Sequence, residues 1–158
     1  AMGSKWASSL DDRNTLWQAR HNAYYAAVAS RPGARAWTTD VCVPISHLAQ
    51  CISETQADLK AHQVEAPLVG HAGDGNFHLI IMLNPDDPAE LALITGISER
   101  LVERALKFGG TCSGEHGVGF GKLKYLDAEH GDALDVMRSI KRAIDPHNLM
   151  NPGKLIPE

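Results

Sequence analysis

The sequence predicts an α+β domain built on a β-α-β-β-α-β antiparallel sheet, and three observations carry that prediction. Helical and strand-like periodicities alternate along the middle of the chain. An Asp74-Gly75 pair separates two apolar runs, as in a tight hairpin. Proline or glycine closes several of the periodic segments, as at "RPG", Pro44 and Gly109-Gly110.

The elements follow in order. Residues 9 to 30 read as a helix, with Asp11 and Asp12 in its first turn and Leu16, Ala19, Ala23 and Ala27 at helical spacing before "RPG" stops it. "ARAWTTDVCVP" is rich in β-branched and aromatic residues and closes at Pro44, which predicts a strand over 35–43. Ser46 is placed to cap a helix carrying Leu48, Ile52, Thr55 and Leu59 and ending near Gln63. "PLVGHA" and "NFHLIIML" read as the hairpin strands. Asp87-Pro88-x-Glu90 opens another helix, with Glu90 in capping-box position and a stripe of Leu91, Ile94, Ile97, Leu101 and Ala105 running to Gly109-Gly110. "GTCSG" supplies a last short strand, completing the ferredoxin-like arrangement with two helices on one face. A helical tail, "ALDVMRSIKRAI", ends at Asp145-Pro146 before an extended "MNPGKLIP".

Composition narrows the function classes. A chain of 158 residues with 44% hydrophobic content fits one domain, here residues 5–158. The formal charge of −4 and pI near 6.0 leave no basic footprint for nucleic acid. No apolar run approaches the roughly 20 residues of a membrane span. Cys42, Cys51 and Cys112 are odd in number and lack a C-x-x-C pair, which fits a reducing compartment and argues against a structural zinc knuckle. Ala1-Met2-Gly3-Ser4 reads as an expression-tag scar, so the native start is expected to lie elsewhere.

With Asp74 and Gly75 as the central turn residues, His71 faces His78 directly across the ladder. Opposed residues have Cβ atoms about 4.5–5.5 Å apart on one face, close enough for both imidazoles to reach one ion. Phe77, Leu79, Ile81 and Leu83 then point to the opposite face, while Ile80 and Met82 share the face of His78. The same pattern also suits one exposed histidine and one satisfied by a backbone bond. The best source of a further ligand is "GGTCSGEHGVGFGK", a glycine-dense loop holding Glu115 beside His116. It lacks the context of a dinucleotide fingerprint and the spacing of a P-loop. Two histidines with one carboxylate would leave metal positions open for a substrate.

"GHAGDGNFH", "GGTCSGEHGVGFGK" and "DPHNLMNPGKL", in that order, resemble the C-terminal domain of the FAD-linked oxidase family. The resemblance implies a divalent metal (zinc, manganese or iron) on His71, His78 and Glu115, with His116 as general base. It implies that Arg20, in "LWQARH", pairs with a substrate carboxylate, and that Asn151, in "NPGK", contacts the cofactor. The implied activity is oxidation of a small 2-hydroxy acid to the 2-oxo acid, with hydride transfer to FAD held mainly by an FAD-binding domain absent from this chain. The isolated chain is therefore expected neither to hold FAD firmly nor to turn over. Family members acting on 2-hydroxyglutarate tend to carry lysine and asparagine where this sequence has Thr38 and Ile80, which favours D-lactate or a similar acid here. The electron acceptor is left unassigned. The resemblance suits a cytoplasmic or peripheral inner-membrane location in a bacterium, or a mitochondrial matrix location in a eukaryote. Two other readings use the same residues: a stand-alone His/His/Glu hydrolase, and a non-catalytic module that kept the fold.

Overall fold

Three strands pair antiparallel with one long central strand in the computed structural model, which describes residues 7–154 and 156–157. Helix α1 (Leu10–Ala29) comes first, followed by β1 (Arg35–Thr38), β2 (Val41–Cys42), α2 (Ile45–Ala61), β3 (Leu68–His71), β4 (Asn76–Leu83) and α3 (Pro88–Lys107). A short helix α4 (Gly119–Lys122), a 3-10 turn, α5 (Leu126–His130) and α6 (Ala133–Ile144) complete the chain. The expected tag scar at residues 1–4 lies outside the described residues.

The single strand expected over 35–43 is present as two pieces in one register. Arg35 pairs with Leu83 and Thr38 with Ile80. Beyond the break, Val41 pairs with Phe77 and Cys42 with Asn76. The break arises at Thr39, whose amide still donates to the Leu79 carbonyl at 3.0 Å. The returning Leu79 N–H is taken by the Thr39 hydroxyl at 2.9 Å instead of the Thr39 carbonyl. A side chain thus replaces one backbone acceptor, and the carbonyl is left for other use.

The hairpin also differs from expectation. His71 pairs with Asn76 and Val69 with His78, so the turn spans Ala72–Gly75 and the register is displaced by two residues. Gly75 adopts φ +75° and lies against the Val43 carbonyl, where any side chain would collide. Its amide and that of Asp74 both donate to the His71 carbonyl, closing a wider loop than a two-residue turn allows. The "GTCSG" strand shrinks to an isolated bridge between Cys42 and Thr111. The tail past Asp145 is a series of turns rather than extended chain, with Asn148 and Asn151 at positive φ; Leu155 lies outside the described residues.

Helix caps follow the sequence unevenly. Ser9 caps α1 by accepting from the Asp12 amide, and Asp87 caps α3 by accepting from Ala89 and Glu90. Ser46 does not cap α2, which begins one residue earlier behind Pro44. Nor does Glu90 close a capping box. It accepts from the Asn84 amide and pairs with Arg31, which ties the end of α1 to the start of α3.

The core lies between the sheet and α2 with α3, where Phe77, Leu79, Ile81 and Leu83 meet Ile94, Ile97, Leu101 and Val102. Arg100 grips Asp58 through two nitrogens, linking α3 to α2. Leu101 is fully buried, so Leu101→Ala is expected to cost about 2–5 kcal/mol through lost contacts and a residual cavity. The measurement is the urea midpoint at unchanged slope; a loss below about 1 kcal/mol would contradict this placement of the core. The opposite sheet face carries His78 and Ile80 and is approached by α1, whose Arg20, Ala23 and Tyr24 overlook it.

Candidate active site

Four separate elements bring the site together: His71 ends β3, His78 sits in β4, Glu115 and His116 come from the loop after α3, and Arg20 projects from α1. The two-residue register displacement keeps both histidines on one face, because side chains alternate with a period of two. They are therefore diagonal neighbours rather than directly opposed, with ring centroids 6.4 Å apart and planes perpendicular. Glu115 Oε1 lies 2.7 Å from His78 Nε2 and 3.5 Å from His71 Nε2. One ligand atom from each of the three residues falls within 4.8 Å of the others. His116 stacks on His78, with centroids 4.8 Å apart and planes 8° from parallel.

The hydrogen-bond inventory bears on what this trio can hold. His78 Nδ1 lies 2.9 Å from the Thr39 carbonyl, which can only accept, so Nδ1 carries the proton. In a neutral ring Nε2 is then a bare lone pair, yet it faces a carboxylate oxygen at 2.7 Å. Two acceptors at that separation need a proton or a cation between them. A histidine with Nδ1–H on a carbonyl and Nε2 free is the form that ligates metals. The residues present thus fit a divalent ion, with two imidazoles and a carboxylate leaving further positions open.

Asp40 is the residue that the sequence reading missed. It is 2% exposed. Its carboxylate accepts from five groups: the amides of Glu115 and His116, the Ser113 hydroxyl, the Asn76 amide and the Lys122 ammonium. Burial pushes its carboxyl up, but the His116 amide, Asn76, Ser113 and Lys122 outweigh burial and hold it well below the usual carboxylate range. The signal in the sequence was an aspartate inside a β-branched run, where carboxylates are disfavoured unless something pairs them. Asp40, His78 and His116 also lie within metal-ligand distance of one another. That set is the poorer candidate, because Asp40 already accepts from its donors and His78 Nδ1 is committed to Thr39.

Arg20 Nη2 lies 2.9 Å from His71 Nε2, with its guanidinium over the Trp17 ring, so a fixed cation stands beside the trio. Thr38, Val69 and buried Ile80 line the rest of a cleft of about 360 Å³. Asn151 is not brought to this place. It lines a different cleft, in the C-terminal turns with Lys141, Arg142 and Asp145. The structure therefore joins Arg20, His71, His78, Glu115 and His116 and leaves Asn151 apart.

Comparison with known proteins bears on the family of the chain as a whole. The family described as "FAD linked oxidases, C-terminal domain" matches residues 1–155. A probable mitochondrial D-lactate dehydrogenase of Danio rerio is 52% identical over 152 residues, covering 96% of this chain and 31% of that protein. The mitochondrial D-lactate dehydrogenase [cytochrome] of Arabidopsis thaliana is 45% identical, covering 96% of this chain and 27% of its own length. D-2-hydroxyglutarate dehydrogenase of Escherichia coli is 40% identical over 119 residues, 75% of this chain and 12% of that protein. The chain thus spans less than a third of the length of these relatives.

Proposed function

This chain belongs to the FAD-linked oxidase C-terminal domain family, and on that premise we propose that it is the substrate- and metal-binding part of a flavin-dependent 2-hydroxy acid dehydrogenase, acting on D-lactate or a similar small D-2-hydroxy acid. The observation that carries the reading is the convergence of His71, His78 and Glu115 beside Arg20 and His116 in one cleft. The share of the relatives that this chain spans supports an FAD-binding domain elsewhere in the full-length protein. The Cys42–Thr111 bridge, outside the β1–β2 edge of the sheet, supports a ferredoxin-like reading of the fold.

When bound, a divalent ion supplies Lewis acidity at the substrate 2-hydroxyl and FAD supplies the hydride acceptor. Arg20 fixes the substrate carboxylate, exchanging its contact with His71 for a charge-assisted pair. His116 takes the hydroxyl proton, held against His78 by stacking and by its own amide on Asp40. Asn151 remains a proposed cofactor contact, from its tail cleft rather than from this one. The names of the two most similar dehydrogenases above favour a mitochondrial location. No helix among the described residues is long and apolar enough to cross a membrane.

Substrate size follows from Thr38 and Ile80, which give the cleft no cation and no amide for a second carboxylate. Purified full-length protein is expected to show its highest kcat/KM with D-lactate among D-lactate, glycolate and D-2-hydroxyglutarate. Hydrogen bonds to charged groups contribute about 1.5–3 kcal/mol, so Thr38→Lys with Ile80→Asn should raise the hydroxyglutarate-to-lactate ratio by about tenfold or more. A wild-type preference for D-2-hydroxyglutarate would overturn the substrate assignment.

A further inference from the structure

The break between β1 and β2 is costly for a sheet, yet the polar groups it releases point into the site. At Thr39 the hydroxyl takes over the ladder bond from Leu79 N–H, and the freed carbonyl accepts from His78 Nδ1. At the next residue the Asp40 carboxylate gathers the amides of Glu115 and His116 at 3.2 and 2.9 Å and the Ser113 hydroxyl at 2.8 Å. The loop over 113–117 has no helix or strand of its own to fix it, and its backbone donors wrap this one carboxylate. Lys122 closes the far side, donating both to the Asp40 carbonyl at 2.9 Å and to its carboxylate. Gly114 packs so tightly on Asn76 and Asp40 that a methyl group there would strike the Asn76 amide.

We propose that Thr39 and Asp40 are positioning residues that set the site from behind: Thr39 fixes the ring orientation of His78, and Asp40 fixes Glu115 and His116 relative to it. The inference rests on the metal reading of His71, His78 and Glu115. Neither residue touches the reacting atoms. Outer partners of this kind change metal affinity by about 10–100-fold when removed.

The test measures Zn²⁺ dissociation constants and thermal unfolding on purified full-length protein, with kcat and KM for D-lactate alongside. Asp40→Asn keeps the shape but loses acceptor capacity toward two amides, and should weaken Zn²⁺ binding by about 10–100-fold and lower kcat more than it raises KM. Thr39→Val separates positioning from stability. Valine keeps the β-branch, and Leu79 N–H can then take the Thr39 carbonyl in an ordinary ladder bond, displacing His78. The expected result is weaker Zn²⁺ binding, by about tenfold or more, at an unchanged or raised melting temperature. A purely structural role predicts the reverse, a lower melting temperature with wild-type Zn²⁺ affinity, and that outcome overturns the proposal. If Asp40→Asn does not fold, Thr39→Val alone decides. His71→Ala serves as reference: if it binds Zn²⁺ more weakly while Thr39→Val binds normally, the positioning role fails and the metal reading stands. Wild-type binding in His71→Ala instead refutes the metal reading itself.

Discussion

His78→Ala is expected to abolish binding of the proposed divalent ion and to lower turnover of the full-length protein by about 10²–10⁴, as befits several kcal/mol of charge stabilisation. Of the three ligand candidates it is the one least able to be replaced. Its side chain is buried, its tautomer is set by the Thr39 carbonyl, and its Nε2 meets Glu115 at the shortest separation in the trio. His71 is half-exposed and already shares its lone pair with Arg20, so its loss should weaken the ion rather than expel it. Removing the His78 ring also leaves the Thr39 carbonyl without a partner, at a cost of about 1–3 kcal/mol. Metal content per protein chain, measured by elemental analysis after gel filtration, separates the two effects. A His78→Ala protein that keeps its full complement of metal would rule out the proposed ligand set.

What the residues disclosed in advance depended on how local the deciding contacts were. The faces of β4 were legible, because strict alternation of Phe77, Leu79, Ile81 and Leu83 against His78 and Ile80 is a property of the strand alone. So was the α3 stripe, since Ile94, Ile97, Leu101 and Ala105 repeat at helical spacing. The hairpin register was not, because Asp74-Gly75 reads equally as a two-residue turn or as the end of a four-residue one. The contact of Gly75 with Val43, just past the end of β2, favours the wider turn. The histidines stayed on one face only because the displacement was even. Glu115 and His116 were visible through the glycine density around them and through resemblance. Asp40 was not, since its five donors come from three parts of the chain that periodicity cannot bring together. The break at Thr39 was hidden for the same reason. A hydroxyl standing in for a backbone acceptor leaves no mark on the hydrophobic pattern.

His116→Ala should lower kcat/KM of the full-length enzyme by about 10²–10⁴, the usual range for losing a positioned general base, while leaving metal content and melting temperature near wild type. This contrast with His78 follows from how the two stacked rings are held. His78 is anchored by Nδ1 on the Thr39 carbonyl, and its Nε2 faces Glu115 at 2.7 Å, which the proposed reading assigns to ligation. His116 is anchored through its backbone amide on Asp40 and through the face of its ring on His78, and its exposed side chain faces the cleft. A proton acceptor needs that arrangement: a fixed ring position with a nitrogen not already spent on ligation. Arg20 lines the same cleft, and in the proposed mechanism it would hold the substrate carboxylate while the hydroxyl proton leaves toward His116. Arg20→Met should accordingly raise KM more than it lowers kcat, whereas His116→Ala should do the opposite. Steady-state kinetics with D-lactate under saturating acceptor read both. Wild-type turnover in His116→Ala would remove it from the chemistry and leave its stacking on His78 as its only role.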